Sequence, residues 1–355
     1  MSRFLVKRHQ SLVPYTPGEQ PQDKTYIKLN TNELPFPPSP IAQRLARLEA
    51  SSLNLYSDPD QKILRETAAQ VFAIDKDEIV FTNGSDEALN YAVMAYCDET
   101  TGLVFPDVTY SFYEVIADLN KVPCKTIPVK DDLSVDVGDY KELHRTIFLA
   151  NPNAPSGLAL KNEEIEVILK TNPDNIVVID EAYGDFNDET CIPLIKKYDN
   201  LMIIRTFSKS YGMAGGRLGY VIADKKLIAD INRLRNSGNP YCVDRMAMMA
   251  GVGALLDRSY LRSCIDKIKA IRQHSADRLR QLGFEVTDSA ANFLFAKHPS
   301  YPGKDLYLDL KENGILVRHF DRPRLNDFIR ISIGSMEQMQ VFFDTLQQLL
   351  EVHHD

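Results

Sequence analysis

The segment Leu201–Tyr220, with the sequence LMIIRTFSKSYGMAGGRLGY, sets the expectation for the whole fold. Its apolar run stops just before Ser208 and Lys209, a glycine-rich turn follows, and Arg217 precedes a second short apolar run. A buried strand that ends in this way brings an amine, a hydroxyl and a guanidinium close to one point. This set suits a ligand with an aldehyde and a phosphate, because the lysine can bond to the aldehyde while the other two hold the phosphate.

A second buried strand is indicated by residues 175–180, NIVVID, in which four apolar residues follow one another. The strand leads into Asp180-Glu181-Ala182-Tyr183, and open α/β sheets bind their ligands at the carboxyl ends of such strands. An acid here also resembles the magnesium-binding acid of P-loop ATPases, but G-x-x-x-x-G-K-[ST] occurs nowhere in the sequence. The other interpretation is a carboxylate that keeps a pyridine nitrogen protonated, so that the ring can withdraw electrons.

Together these motifs resemble those of the fold-type I pyridoxal-phosphate enzymes, and most of all those of the histidinol-phosphate aminotransferases. The Ser-Lys segment with its following arginine and the D-E-A-Y run both match, and the resemblance extends from Asn32 to Arg330. It implies an α/β fold with a mainly parallel seven-stranded sheet in a large domain, plus a small α+β domain. We expect an N-terminal arm over residues 1–40, the large domain over 41–256 and the small domain over 257–355.

The resemblance also implies pyridoxal 5'-phosphate as the cofactor and assigns roles around it. Lys209 would bond to the cofactor and act as the base, Asp180 would pair with the ring nitrogen, Tyr110 would stack on the ring, and Tyr183 would bond the phenolic oxygen. The phosphate would be held by Ser85, Asp86, Ser208, Arg217 and Tyr56 of the partner subunit in a homodimer. From the residues alone, Ser85 is expected to cap the helix that follows Gly84, which makes an anion site at its first turn.

Two departures from the family pattern concern the cofactor. Leu34 stands where the N-E-N-P motif has its second asparagine. Ala154, in Asn151-Pro152-Asn153-Ala154-Pro155, stands where the family has the asparagine that bonds the phenolic oxygen, so this donor is either missing or supplied by Asn153 after a shift of one residue.

Two arginines occur in strand-like segments of the C-terminal part. Arg330 lies in FIRISIG and Arg318 in GILVR, both of which resemble family motifs. An arginine in an alternating strand pattern costs free energy unless it meets an anion, although an edge-strand arginine in water is the alternative. The resemblance implies that Arg330, Arg318, Asn292 and Tyr241 bind the substrate.

The implied reaction converts histidinol phosphate and 2-oxoglutarate to imidazole-acetol phosphate and glutamate, a step of histidine biosynthesis. Three alternatives stay open on the same scaffold: threonine-phosphate decarboxylation, transamination of aromatic amino acids, and a non-catalytic binding protein. The sequence does not distinguish between transfer and decarboxylation, because the choice depends on which substrate bond is held perpendicular to the ring.

Composition excludes several other classes. The 355 residues carry a formal net charge of −8, which argues against nucleic acid as a partner. No apolar run approaches the roughly 20 residues of a membrane span, and the N-terminus lacks the apolar centre of a secretory signal. The five cysteines are scattered without metal-binding spacing, so we expect no metal and a cytoplasmic location. The proline-rich first 40 residues predict either an extended arm or a disordered leader.

Overall fold

The computed structural model describes the backbone of residues 2–354 and the side chains of residues 2–352. Its strands, β1 to β13 in chain order, are Ile27–Lys28, Ile79–Asn83, Leu103–Pro106, Cys124–Ile127, Thr146–Ala150, Val177–Asp180, Leu201–Thr206, Leu218–Ala223, Glu285–Val286, Phe293–Lys297, Ile315–Leu316, Arg318–His319 and Phe328–Ser332. Its α-helices, α1 to α10, are Pro40–Glu49, Lys62–Phe72, Ser85–Tyr96, Phe112–Asn120, Asn162–Thr171, Lys225–Gly238, Arg245–Leu256, Arg258–Gln281, Gly303–Glu312 and Met336–His354.

Seven strands form the central sheet, in the order β2-β8-β7-β6-β5-β3-β4. From β7 to β4 all neighbours are parallel, whereas β8 is antiparallel to both β7 and β2. Every residue of β6, β7 and β8 is buried, as their continuous apolar runs predict for strands covered on both faces. The predicted fold class, a mainly parallel seven-stranded sheet with helices, is therefore confirmed.

Helices cover the central sheet on both faces because alternate strand residues point to opposite sides. On one face Phe81 belongs to a cluster with apolar residues of α1, α2, α5 and α7. On the other face its neighbour Val80 packs with residues of α3, α4 and α6. The result is a three-layer arrangement in which the carboxyl ends of the parallel strands remain open at one edge.

A second, smaller sheet has the order β12-β13-β10-β9 and is antiparallel throughout. Its core also contains residues of α8, α9 and α10, and Leu29 of the N-terminal segment is buried within it. The N-terminal segment reaches this region by pairing β1 in parallel with β11, Ile27 opposite Ile315. The N-terminal segment thus packs with the C-terminal residues, while the domain boundaries at 40 and 256 stay predictions.

Two local predictions differ from the structure. Ser85 is the first residue of α3 rather than its cap, and Gly84 occupies the N-cap position with a φ of 78°. The strand-like segment GILVR is interrupted: Ile315–Leu316 form β11, Val317 lies between the strands, and Arg318 begins β12, which belongs to a different sheet. Among the described residues, no helix has the combination of length and apolar character that crossing a bilayer requires.

Gly253 allows α7 to pack closely against α1. A Cβ at this position would lie 2.7 Å from both Cα and N of Ala42, so we expect Gly253→Ala to lower the free energy of unfolding. Overpacking of this kind costs about 1–3 kcal/mol, because the obstacle is backbone and cannot rotate away. Urea denaturation measures the change.

Gly238→Ala is the matched control, since Gly238 is also helical but is exposed, with only Tyr91 Oη at 4.0 Å from the added Cβ. It is expected to be neutral or to stabilise by up to about 1 kcal/mol through helix propensity. Equal effects of the two substitutions would contradict the close packing of α1 and α7.

Candidate active site

The carboxyl ends of β5, β6 and β7 lie side by side, because Ala150 pairs with Asp180 and Asp180 with Ile204 in parallel register. A cavity of about 840 Å³ opens at this edge and is also lined by the N-terminal segment and the small sheet. Ten of the residues predicted from the sequence line it: Ser85, Asp86, Tyr110, Asp180, Tyr183, Ser208, Lys209, Arg217, Arg318 and Arg330.

Lys209 follows β7 in a turn that hydrogen bonds hold in place. Thr206 Oγ1 accepts a hydrogen bond from the Ser208 amide at 3.0 Å and donates one to Ser208 Oγ at 2.9 Å. The Lys209 ammonium donates to the Thr31 carbonyl at 3.2 Å and lies 5.5 Å from the centre of the Tyr183 ring. The amine is therefore directed into the cavity, beneath the N-terminal segment.

Asp180, the last residue of β6, is a buried carboxylate at the cavity wall. Burial raises its pKa to about 6, although hydrogen bonds from the Tyr113 hydroxyl (2.8 Å) and the Ala182 amide (3.1 Å) lower it, and the nearby Asp86 and Glu181 carboxylates raise it. A buried carboxylate with this environment gains from a cationic partner. It suits a protonated ring nitrogen, which would offset the cost of burying the charge.

The first turn of α3 has the properties of an anion site. In the described part of the chain, no side chain caps this helix, so its first amide N–H groups remain available. A Cβ at Gly84 would lie 2.6 Å from Arg217 Nη2, so glycine permits the guanidinium to approach the helix end. Ser85 and Ser208 also line the cavity.

The sequence predicts that Asp86 contacts the cofactor phosphate, but the structure places its carboxylate against Tyr110 and Arg217. Its carboxylate accepts hydrogen bonds from the Tyr110 hydroxyl at 3.1 Å and from Arg217 Nη2 at 3.3 Å. A carboxylate repels a phosphate, so these contacts suit a group that orients the guanidinium and the ring better than one that binds the anion. Burial raises the pKa of Tyr110 well above its usual range, which keeps its phenol protonated as a donor.

Arg330 and Arg318 belong to β13 and β12, which are paired in the small sheet. Arg330 Nη2 donates to the Asn30 carbonyl at 3.0 Å, whereas its Nε has no hydrogen-bond partner among the described residues. Burial and the neighbouring Arg318 lower the pKa of Arg330. Arg318 itself donates to the carbonyls of Thr16 and Pro17. Two guanidinium groups that interact with carbonyls instead of carboxylates can attract an anionic ligand.

The structure does not bring Asn153 to the cavity, which corrects its assignment to the cofactor. Its Nδ2 donates to the Val108 carbonyl at 2.9 Å, in the loop after β3, and to Ser156 Oγ at 3.1 Å, so both amide hydrogens are used. Its Oδ1 accepts from Thr109 Oγ1 at 2.7 Å. Ala154, by contrast, lines the cavity. A shift of the amide by one residue therefore does not compensate for the alanine.

Three further predicted residues lie outside the cavity lining. Asn292 is fully buried, and its Nδ2 donates to the Asn32 carbonyl at 3.0 Å, so it supports the wall rather than facing a substrate. Tyr56 and Tyr241 stack on each other with ring centres 4.6 Å apart and are 79% and 44% exposed. Neither lines the cavity of its own chain.

Three residues that shape the site were not predicted from the sequence. Tyr113 donates to Asp180, and the available signal was its position three residues after Tyr110, in the first turn of α4. Tyr15 in the proline-rich segment lies edge-on to Tyr110, with ring centres 5.9 Å apart. Asn32 donates from Nδ2 to the Tyr183 hydroxyl at 2.9 Å. The segment that carries Tyr15 and Asn32 is an extended arm along the cavity, not a disordered leader.

This fold and the side chains of the cavity define a class of enzyme. Comparison with known proteins identifies that class. Residues 24–346 match the family described as aminotransferase class I and II, and the chain belongs to this family. The predicted transaminase activity and the predicted cofactor, pyridoxal 5'-phosphate, follow from this membership.

The names of individual relatives are more specific than that of the family. The chain is 45% identical to a histidinol-phosphate aminotransferase of Marinomonas sp., over 98% of this chain and 100% of the relative. It is 43% identical to a histidinol-phosphate aminotransferase of Brachyspira hyodysenteriae, over 99% and 100%. The crystal structure of histidinol-phosphate aminotransferase from Sinorhizobium meliloti in complex with pyridoxal-5'-phosphate superposes with a TM-score of 0.89, covering 99% of both chains at 22% identity. This last likeness supports the fold alone.

The residues at the sheet edge fit pyridoxal phosphate. Lys209 supplies the amine for the aldehyde, the uncapped end of α3 with Arg217 and Ser208 supplies donors for the phosphate, and buried Asp180 suits the ring nitrogen. Tyr110 and Tyr183 supply an aromatic face and a hydroxyl.

The buried carboxyl of Asp180 predicts a pH effect on the stability of the cofactor-free protein. The pKa of Asp180 in the folded protein, about 6, lies above its usual value in an unfolded chain. Between these two pKa values the folded protein holds a proton that the unfolded chain has released. This contribution is fully present below pH ~4 and is lost as pH rises through ~6, a difference of about 3 kcal/mol. Asp180→Asn should therefore gain stability relative to the natural protein over this pH window, as urea denaturation would measure.

Tyr113→Phe serves as the companion variant. It removes a donor that lowers the pKa of Asp180, so the pH range over which the protonated carboxyl stabilises the folded protein should extend to higher pH. Parallel pH profiles for Asp180→Asn and the natural protein would contradict a raised pKa at this carboxyl.

Proposed function

We propose that this protein is a pyridoxal-phosphate-dependent histidinol-phosphate aminotransferase that passes the amino group of histidinol phosphate to 2-oxoglutarate, a step of histidine biosynthesis. The observation that carries the proposal is the joint placement of Lys209, Asp180 and Arg330 around one cavity. The full-length relatives of that name, at 43% and 45% identity, support the choice of substrate.

The side chains divide the work of the reaction. Pyridoxal phosphate, when bound, supplies a ring that withdraws electrons from the substrate carbon. Asp180 holds a proton at the ring nitrogen, and Lys209 Nζ accepts the proton that the substrate carbon gives up. The uncapped turn of α3, Ser208 and Arg217 bind the cofactor phosphate, with Asp86 orienting the guanidinium.

Arg330 and Arg318 bind the anionic group of each substrate: the phosphate of histidinol phosphate and a carboxylate of 2-oxoglutarate. The Nε of Arg330 lacks a partner among the described residues, so a bound oxygen would satisfy it. Tyr15 and the arm around it cover the ring of Tyr110 and exclude water from the reacting atoms.

The assembly that we propose is a homodimer in which Tyr56 reaches the cavity of the partner subunit. Around Tyr56 the surface carries several large apolar side chains that are more than half exposed, namely Leu48, Leu53 and Leu55, and Tyr241 stacks on the Tyr56 ring. An apolar patch of this kind is typical of a subunit interface. Tyr241 would then contribute from the same surface.

We also propose that the protein acts in the cytoplasm. All five cysteines are free, with Cys191, Cys242 and Cys264 buried, as in proteins of reducing compartments.

The function is tested by comparing histidinol phosphate, phenylalanine and threonine phosphate as substrates of one preparation, with 2-oxoglutarate as acceptor. We expect kcat/KM for amino transfer from histidinol phosphate to exceed that from phenylalanine at least about tenfold, or about 1.4 kcal/mol. A preference for phenylalanine would support an aromatic aminotransferase, and carbon dioxide released from threonine phosphate would support a decarboxylase.

Lys209→Ala should abolish amino transfer, because the variant has neither the covalent attachment nor the base. Borohydride reduction followed by peptide mass analysis should fix the cofactor on Lys209 of the natural protein and leave the variant unlabelled. Lys197→Ala, at an exposed lysine paired with Glu166, is the control and should stay active. A natural protein that acquires no colour with pyridoxal phosphate would support a binding module instead.

Mixing Lys209→Ala with Tyr56→Ala subunits should restore activity if Tyr56 acts across the interface. Random pairing gives about a quarter of the natural number of intact sites, since half of the dimers are mixed and each has one such site. Mixing Lys209→Ala with Asp180→Asn is the matched control and should restore nothing, because both residues line the cavity of the same chain. Restoration in neither mixture would refute the shared site.

A further inference from the structure

Asn32 contributes a buried side-chain amide to the cavity wall. It lies in the N-terminal arm, is 1% exposed and has a φ of 54°, a left-handed conformation that asparagine tolerates better than most residues. Its carbonyl accepts a hydrogen bond from Asn292 Nδ2 at 3.0 Å, and its amide N–H donates to Ser332 Oγ at 2.8 Å. Residues 260 and 300 positions away thus hold it in place.

The direction of the side-chain hydrogen bonds follows from Ser332. The serine hydroxyl has one hydrogen, which it donates to Asn32 Oδ1 at 2.8 Å, while its oxygen accepts the Asn32 backbone N–H. In this orientation of the amide, Oδ1 accepts from Ser332 and Nδ2 is the end that meets the Tyr183 hydroxyl at 2.9 Å. An Nδ2 group can only donate, so Tyr183 Oη must accept this bond.

This polarity determines where the proton of Tyr183 can go. Because its oxygen accepts from Asn32, the hydroxyl hydrogen points away from Asn32 and is available to an acceptor in the cavity. The ring cannot easily turn, since it is 9% exposed and packs edge-on against Phe293 with ring centres 5.1 Å apart. Ala154 lines the same cavity without a polar side chain, and the amide hydrogens of Asn153 are used elsewhere.

We propose that Asn32 is a positioning residue that turns the proton of Tyr183, the donor that remains with alanine at position 154, toward the phenolic oxygen of bound pyridoxal phosphate. The inference rests on the proposed function only in taking pyridoxal phosphate as the ligand. A hydrogen bond donated to this oxygen favours its anionic form, so it lowers the pH at which the visible absorption of the bound cofactor titrates.

The test is a spectrophotometric pH titration of the holoenzyme without substrate. Asn32→Asp keeps the shape of the side chain but replaces the donor by an acceptor, so Tyr183 would donate to residue 32 instead of to the cofactor. We expect the titration midpoint to rise by about 1–2 pH units, the size of a lost hydrogen bond to a charged oxygen. Tyr183→Phe should raise it in the same direction.

A double variant separates positioning from the simple effect of an added charge. If Asn32 acts through Tyr183, Asn32→Asp combined with Tyr183→Phe should shift the midpoint no further than Tyr183→Phe alone. Asn30→Asp is the matched charge control, because Asn30 is also 1% exposed and lines the cavity, but its amide donates to the Glu19 carbonyl. Its midpoint should change less than that of Asn32→Asp.

An unchanged midpoint in Asn32→Asp, additive shifts in the double variant, or an equal shift in Asn30→Asp would overturn the proposal. If Asn32→Asp fails to fold, Asn32→Ala replaces it, with a smaller expected rise that must vanish in the Tyr183→Phe background. The outcome is independent of the substrate: a natural protein that titrates as expected but does not use histidinol phosphate would refute the proposed reaction and leave the role of Asn32 intact.

Discussion

Adjacent parallel strands that end at one sheet edge place an acid and an amine on the same cavity. Asp180 ends β6, and Lys209 follows β7 by three residues, so the register between these strands determines the separation of the two groups. Burial makes the carboxylate costly unless a cation joins it. The chemistry of the site depends on this combination, because the same burial that raises the pKa of Asp180 makes it a strong partner for a protonated ring.

Behind these two groups lies a buried ionic cluster that joins the turns after β6 and β7. The Arg205 guanidinium lies 2.6 Å from Asp185 Oδ1 and 3.4 Å from Glu181 Oε2, with Arg205 and Glu181 almost completely buried. Ser210, next to Lys209, donates to Asp185, and Glu181 Oε1 accepts from the Cys191 amide. Removing one member would leave an uncompensated buried charge, at a cost of about 3–5 kcal/mol. The cluster therefore couples the position of the lysine turn to that of the acid turn.

The remaining wall of the cavity comes from the arm and the small sheet. Ser332 of β13 and Asn292 before β10 bind Asn32, and Arg330 of β13 binds the Asn30 carbonyl. The strand that carries Arg330, the arginine proposed to bind the substrate anion, thus also positions the arm. The arm and the two arginines form one hydrogen-bonded unit. The hydroxyl of Tyr183 and an anion bound by Arg330 would therefore both be positioned relative to the same backbone.

Much of the fold and of the candidate site could be predicted from local sequence. Continuous apolar runs determined the buried strands β6 and β7, and the residues just beyond them, Asp180 and Lys209, were recognisable because strand ends in parallel sheets gather at one edge. What local sequence did not provide were the partners that lie far along the chain. Asn153 looked available but donates its amide hydrogens to Val108, 45 residues earlier, and to Ser156, while Asn32, 151 residues before Tyr183, supplies the donor that meets the Tyr183 hydroxyl. Hydrogen-bond direction depends on which groups meet in space, and the packing of the two sheets decides that. The sequence by itself determined the buried strands of the central sheet and the strand ends that place the acid and the amine, because these follow from local apolar runs.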